Sequence, residues 1–99
     1  MSDWSVDKVA PGRLAVRGEL DFDSAFAVLK RGVALLGEAR DYEIDLSGVR
    51  SGDSAGLAVL IEWLATARRR GAELRYTGMP AQLRVIAHIS ALEELLGTG

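Results

Sequence analysis

Cysteine is absent from this chain, His88 is its sole histidine, and Lys8 and Lys30 are its only lysines. Without a thiol there can be no disulfide, thiolate nucleophile, iron–sulfur cluster or cysteine-ligated zinc. An excess of charge of one sign is lacking too. Fourteen acidic and 12 basic residues leave a net charge of −2, so no whole-protein field favours nucleic acid as a partner. Long apolar runs are also missing. The longest, Ala55 to Ala67, is about 13 residues and is interrupted by Glu62, whereas a bilayer span takes about 20. The opening Met1-Ser2-Asp3-Trp4 has no basic or apolar leader pattern, so no export signal is expected. No phosphate-binding glycine loop ending in Lys-Ser/Thr occurs, so any nucleotide chemistry must belong to a partner. A soluble, cytoplasmic protein without cofactor or metal is the expectation, and 99 residues fit a single domain over 1–99.

What is present is an alternation of two periodicities. Trp4 to Val9 and Arg13 to Arg17 alternate as strands around the turn signal Ala10-Pro11-Gly12. Gly18-Glu19-Leu20-Asp21 breaks that pattern. Phe26, Leu29, Val33 and Leu36 then recur at helical spacing, with Asp23 or Ser24 as the expected cap and Gly37 as a stop. Tyr42 to Leu46 alternates as a strand, and Ser47-Gly48-Val49-Arg50-Ser51-Gly52 has the composition of a loop. The strongest helix follows, with Leu57, Leu60, Ile61, Leu64 and Ala67 as its apolar stripe. Arg68, Arg69 and Arg70 lie at its end and Gly71 just beyond. Glu73 to Tyr76 is another strand. Pro80 opens a helix whose Leu83, Ile86 and Ala87 face inward, and Leu92, Leu95 and Leu96 mark a short last helix. The order ββαβαβα predicts an α/β fold: a mixed, mostly parallel sheet of about four strands with helices packed on it.

Gly52-Asp53-Ser54-Ala55-Gly56 matches G-x-S-x-G, the pattern of a hydrolase nucleophile elbow. The elbow needs a strand that runs straight into the turn, and here the alternation stops near Leu46. No aspartate follows Ser54 in the chain, so only Glu62 or Glu73 could support His88. A serine hydrolase is therefore a distant alternative, and a non-enzymatic role is expected. The same residues start a helix well, because Asp53 and Ser54 bring oxygen acceptors and negative charge to its positive end. Small residues there can also leave backbone open to another protein. Arg68 to Arg70 fit a solvated helix end. Asp21, Asp23, Asp45 and Asp53 fit strand, turn and cap positions better than a magnesium site. Trp4 and Trp63 fit packing better than interface anchoring.

Tyr42-Glu43-Ile44-Asp45-Leu46-Ser47-Gly48-Val49 followed by Asp53-Ser54-Ala55-Gly56-Leu57-Ala58-Val59-Leu60 resembles the core signature of STAS domains. Gly18-Glu19-Leu20-Asp21 and Gly71 with Glu73-Leu74-Arg75 are similar to further family features, so the likeness spans the chain. That family includes anti-sigma-factor antagonists and the small cytoplasmic subunit of the Mla phospholipid ABC transporter. In the phosphoswitch antagonists a hydroxyl residue stands directly before the motif's last glycine, where this chain has Ala55. The Mla-type subunits carry the hydroxyl directly after the aspartate, and Ser54 matches. The resemblance implies a binding subunit that docks on the transporter's cytoplasmic ATPase. It would be peripheral to the inner membrane through that partner, with Asp53, Ser54, Ala55 and Gly56 at the contact. The alternative it implies is an anti-sigma-factor antagonist.

Overall fold

A computed structural model describes residues 3–37, 40–89 and 92–96. Strands β1 (Trp4–Ala10) and β2 (Arg13–Leu20) form an antiparallel hairpin about Pro11 and Gly12. Helix α1 (Ala25–Leu35) leads to β3 (Asp41–Gly52), α2 (Ser54–Arg69) to β4 (Glu73–Thr77), and α3 (Ala81–Ile89) and α4 (Glu93–Leu96) follow. The sheet order is β1-β2-β3-β4, with β2–β3 and β3–β4 parallel. This is the mixed, mostly parallel α/β sheet that the sequence predicts. Both parallel crossovers step the same way across the sheet, so right-handed connections put α1 and α2 on one face. Among the described residues no helix is long and apolar enough to cross a membrane.

That face holds the core. Val6, Leu14, Val16, Leu20, Ile44, Leu46 and Tyr76 point up from the strands and meet Val28, Leu57, Leu60 and Trp63 of the helices. The α2 stripe behaves as its spacing predicts: Leu57, Leu60, Leu64 and Ala67 are buried and Ile61 is partly so. Trp63 is fully buried, and its indole N–H donates to the Leu29 carbonyl at 3.2 Å. Gly32 lets the helices close on it, since a Cβ there would lie 2.3 Å from the indole ring. The other sheet face is polar. Glu43 and Arg75 pair across β3 and β4 at 2.9 Å. The Ser47 backbone N–H donates to Asp45 Oδ1 at 2.8 Å and holds that carboxyl below its ordinary range, with the Ser47 side chain and nearby Arg17 acting the same way.

Four local expectations are corrected. Ser47–Gly52, read as a loop, is the second half of β3 and pairs with β2 out to Leu20↔Gly52. Two register shifts absorb its extra residues, and its polar side chains sit on or near the open face while Val49 is buried. Likewise β2 runs past Arg17 to Leu20. Phe26, read as part of the α1 stripe, is 72% exposed, because Val28 and Gly32 carry the buried face instead. Ser24 is the N-cap residue of α1, as one of the two expected candidates, but its side chain makes no capping bond to the helix N–H groups. Asp21 Oδ1 accepts the N–H groups of Asp23 (3.0 Å) and Ser24 (3.1 Å), and its carbonyl accepts from Ala25 at 2.8 Å. Ser24 instead turns its hydroxyl to the Glu19 carbonyl at 2.7 Å.

Truncating the core should separate it from the surface. Leu60→Ala should lower unfolding free energy by about 2–5 kcal/mol in urea titration, as large-to-small changes do at buried sites. The buried Tyr76 hydroxyl donates to the Leu60 carbonyl at 2.6 Å, and burial raises its pKa well above the ordinary value. The folded state therefore keeps the proton when the unfolded chain loses it. Stability is intact below about pH 10, the ordinary tyrosine value, and should fall as pH rises further. Tyr76→Phe should flatten that alkaline decline, measured as the difference between the two melting profiles.

Candidate partner-docking site

Asp53 alone forms the turn between β3 and α2. Its backbone is extended, with φ −130° and ψ −168°, so its side chain can fold back over the helix start. Oδ1 accepts from Ala55 N–H at 2.9 Å and from Gly56 N–H at 3.1 Å, which satisfies two of the helix's free donors. Oδ2 reaches the other way and accepts from Phe22 N–H at 3.0 Å. The Asp53 N–H donates to the Leu20 carbonyl at 3.3 Å. One residue thus joins the end of β3, the start of α2 and the β2–α1 turn.

Ser54 stands exposed at the first position of α2, and among the described residues its hydroxyl makes no hydrogen bond. Ala55 is half-buried. Gly56 does something else. It is buried, and a Cβ on it would come within 2.1 Å of the Leu20 carbonyl oxygen, so its smallness serves close packing of α2 on β2. The sequence reading of Gly56 as part of an open approach surface is corrected accordingly, and the exposed part of the motif narrows to Ser54 and the edge of Ala55. On the far side, Gln82 Oε1 accepts from Gly52 N–H at 3.2 Å and ties α3 to the same loop.

The strand does run directly into the turn, so the objection to a nucleophile elbow drawn from an early end of β3 falls. Among the described residues no base is bonded to the Ser54 hydroxyl. His88 is exposed on α3 and is not bonded to Ser54, and both Asp53 oxygens are taken by backbone N–H groups. The arrangement offers recognition: a hydroxyl able to donate or accept, at the positive end of a 16-residue helix.

Sequence reasoning missed the aromatic residues beside it. Phe22 is 82% exposed and its backbone is held by Asp53; Phe26 is 72% exposed four residues on. Phe22 lies in the turn that the Asp21 carbonyl closes with Ala25, and Phe26 stands in the first turn of α1. Lys30, four further, places Nζ 5.4 Å from the Phe26 ring centroid. The available signal was Asp21-Phe22-Asp23, since an aromatic between two carboxylates is poorly suited to a core. Arg69 pairs with Glu62 at an exposed 3.3 Å, whereas Arg70, expected at a solvated helix end, bonds the Leu36 carbonyl at the end of α1.

The family model described as "Mlab, STAS domain" matches residues 6–97. The chain belongs to the STAS family. Solved structures repeat the fold. The unphosphorylated anti-sigma factor antagonist SpoIIAA is 14% identical with a TM-score of 0.72, over 92% of this chain and 83% of that one. An anti-sigma factor antagonist from Mycobacterium paratuberculosis is 21% identical with a TM-score of 0.69, over 94% and 80%. A sulfate transporter family protein from Wolinella succinogenes is 22% identical with a TM-score of 0.69, over 92% and 76%. No curated protein matches the sequence. STAS domains thus occur both in regulators and in transporter proteins.

In this STAS domain Asp53 should be worth more than an ordinary cap. Asp53→Ala removes acceptors for three backbone N–H groups and should cost about 1–3 kcal/mol in chemical denaturation. Amide exchange at Phe22 should speed up with it, whereas Ser54→Ala should leave both nearly unchanged.

Proposed function

We propose that this STAS domain is a non-enzymatic docking subunit whose partner meets it at Asp53, Ser54 and Ala55 together with Phe22 and Phe26. The observation that carries the reading is exposed Phe22, bonded through its backbone to Asp53, the residue directly before an exposed, unbonded serine, with exposed Phe26 following on α1. Rings this open cannot serve the core. Phe22, its backbone held by Asp53, and Phe26, on α1, offer apolar area on an ordered backbone, which limits the freedom lost on binding. Gly56 contributes indirectly, by seating the helix start against β2.

The partner in this proposal is the cytoplasmic ATPase of an ABC phospholipid transporter, and the domain supports the assembly or activity of that complex. The matching family description supports this choice, as does Ser54 standing directly after Asp53. The domain would then be cytoplasmic and reach the inner membrane through its partner. A second reading, as an anti-sigma-factor antagonist, draws on the likeness to SpoIIAA, which was solved in phosphorylated and unphosphorylated forms. Ala55 opposes it, because the position before Gly56 carries no hydroxyl for a kinase to modify.

Affinity capture from the native cell, followed by titration with the captured protein, tests both. The expected catch is an ABC ATPase. Phe22→Ala should weaken its binding by about 2 kcal/mol, roughly thirtyfold in Kd, without lowering the melting temperature. Ser54→Arg should weaken it more, since it blocks approach and brings a cation to the positive helix end. Capture of a kinase-like anti-sigma factor would establish the second reading instead. Unchanged affinity in both variants would place the contact elsewhere.

A further inference from the structure

β1 is an edge strand, and which of its backbone groups are free can be derived. Glu19 N–H donates to the Asp3 carbonyl at 3.1 Å, so Asp3 and Glu19 form a hydrogen-bonded pair. Such pairs alternate along an antiparallel ladder. The register places Ser5 opposite Arg17 and Asp7 opposite Ala15, which are therefore bonded pairs too. The N–H and C=O groups of Trp4, Val6 and Lys8 consequently point away from β2. The register shifts after Lys8, so the regular part of this edge is Trp4 to Lys8 with Val6 at its centre.

Free edges of this kind invite another strand, and native proteins guard them. Here the guard comes from α1. Arg31 Nε donates to the Val6 carbonyl at 3.1 Å, the group at the middle of the free edge. Exposed Ala27 and Ala34 flank Arg31 on the helix, and Leu35, one turn on, lines a cavity with Lys8.

We propose that the β1 edge is a self-association surface for a second copy of this chain, two-fold about Val6, and that Arg31 governs it. Charge, together with the length of free edge used, selects the register. An antiparallel pair of copies must join the free-edge residues Trp4, Val6 and Lys8 to one another. Pairing Trp4 with Val6 would set Asp3 against Asp7, and pairing Val6 with Lys8 would set Asp7 against Asp7; like charges directly opposite oppose both. Pairing Val6 with Val6 sets Trp4 against Lys8 and Ser5 against Asp7, with no like charges facing, and it uses the whole free edge of both copies. The interface is isologous and closes on itself, so association stops at the dimer. In that arrangement two Arg31 guanidinium groups converge at the axis. Each already occupies a carbonyl the partner strand needs, and they repel each other. Arg31 thereby holds the wild-type chain toward the monomer.

The absence of cysteine makes the register directly testable. In sedimentation velocity, Arg31→Met, which keeps the aliphatic stem, should dimerise at a concentration at least tenfold lower than the wild type. Circular dichroism checks its fold, and Arg31→Gln takes its place if the methionine variant unfolds. Within the Arg31→Met background, a chain with Ser5→Cys mixed with one carrying Asp7→Cys should form a disulfide-linked heterodimer under mild oxidation. Ser5→Cys alone should remain largely uncrosslinked. Equal monomer–dimer behaviour of wild type and both Arg31 variants would overturn the proposal. So would Ser5→Cys homodimers as abundant as the mixed product.

Discussion

A helix start in a parallel α/β sheet leaves backbone N–H groups to satisfy just where the preceding strand ends. In this domain one carboxylate does that work and more. Asp53 caps α2 with one oxygen, holds the β2–α1 turn with the other, and uses its own N–H to bind the end of β2. The relative placement of Ser54, Phe22 and Phe26 depends on this bridge. Gly56 makes it possible, because any side chain there would push α2 off the Leu20 carbonyl. The surface proposed for docking is thus built by residues that are themselves mostly turned inward.

A second constraint fixes which side of α1 is free. Trp63 fills the space between the two main helices, and Gly32 opens α1 to receive it. Once α1 is rotated to present Gly32 and Val28 inward, Phe26 has to point outward and Arg31 reaches over the edge of β1. One packing decision in the core therefore sets both the exposure of Phe26 and the edge guard. The two surfaces lie on different parts of α1, so a partner at Ser54 and a second copy at β1 can be addressed by separate substitutions.

The STAS fold itself is shared with proteins that regulate and proteins of transporter families. The local chemistry of this member lies at the start of α2. There, Ala55 carries no hydroxyl, while Ser54 holds one in the open.

The order of elements, the α2 stripe and the helix-capping role of Asp53 were legible in the chain, because periodicity and end chemistry are local properties. Leu57, Leu60, Leu64 and Ala67 are buried as their spacing implies. The Ser47–Gly52 segment was not legible as strand. Its composition is that of a loop, and only pairing with β2, with two register shifts, makes it extended. Phe26 fits a helical stripe in sequence, but the side of α1 that faces inward is chosen by Trp63 from another helix. Gly56 was legible as small, though not as buried, since the carbonyl it must clear belongs to Leu20 on β2. Sequence by itself determined the periodic elements and the start of α2. Tertiary structure decided which faces, edges and hydroxyls are left open, because exposure depends on neighbours that come from distant parts of the chain.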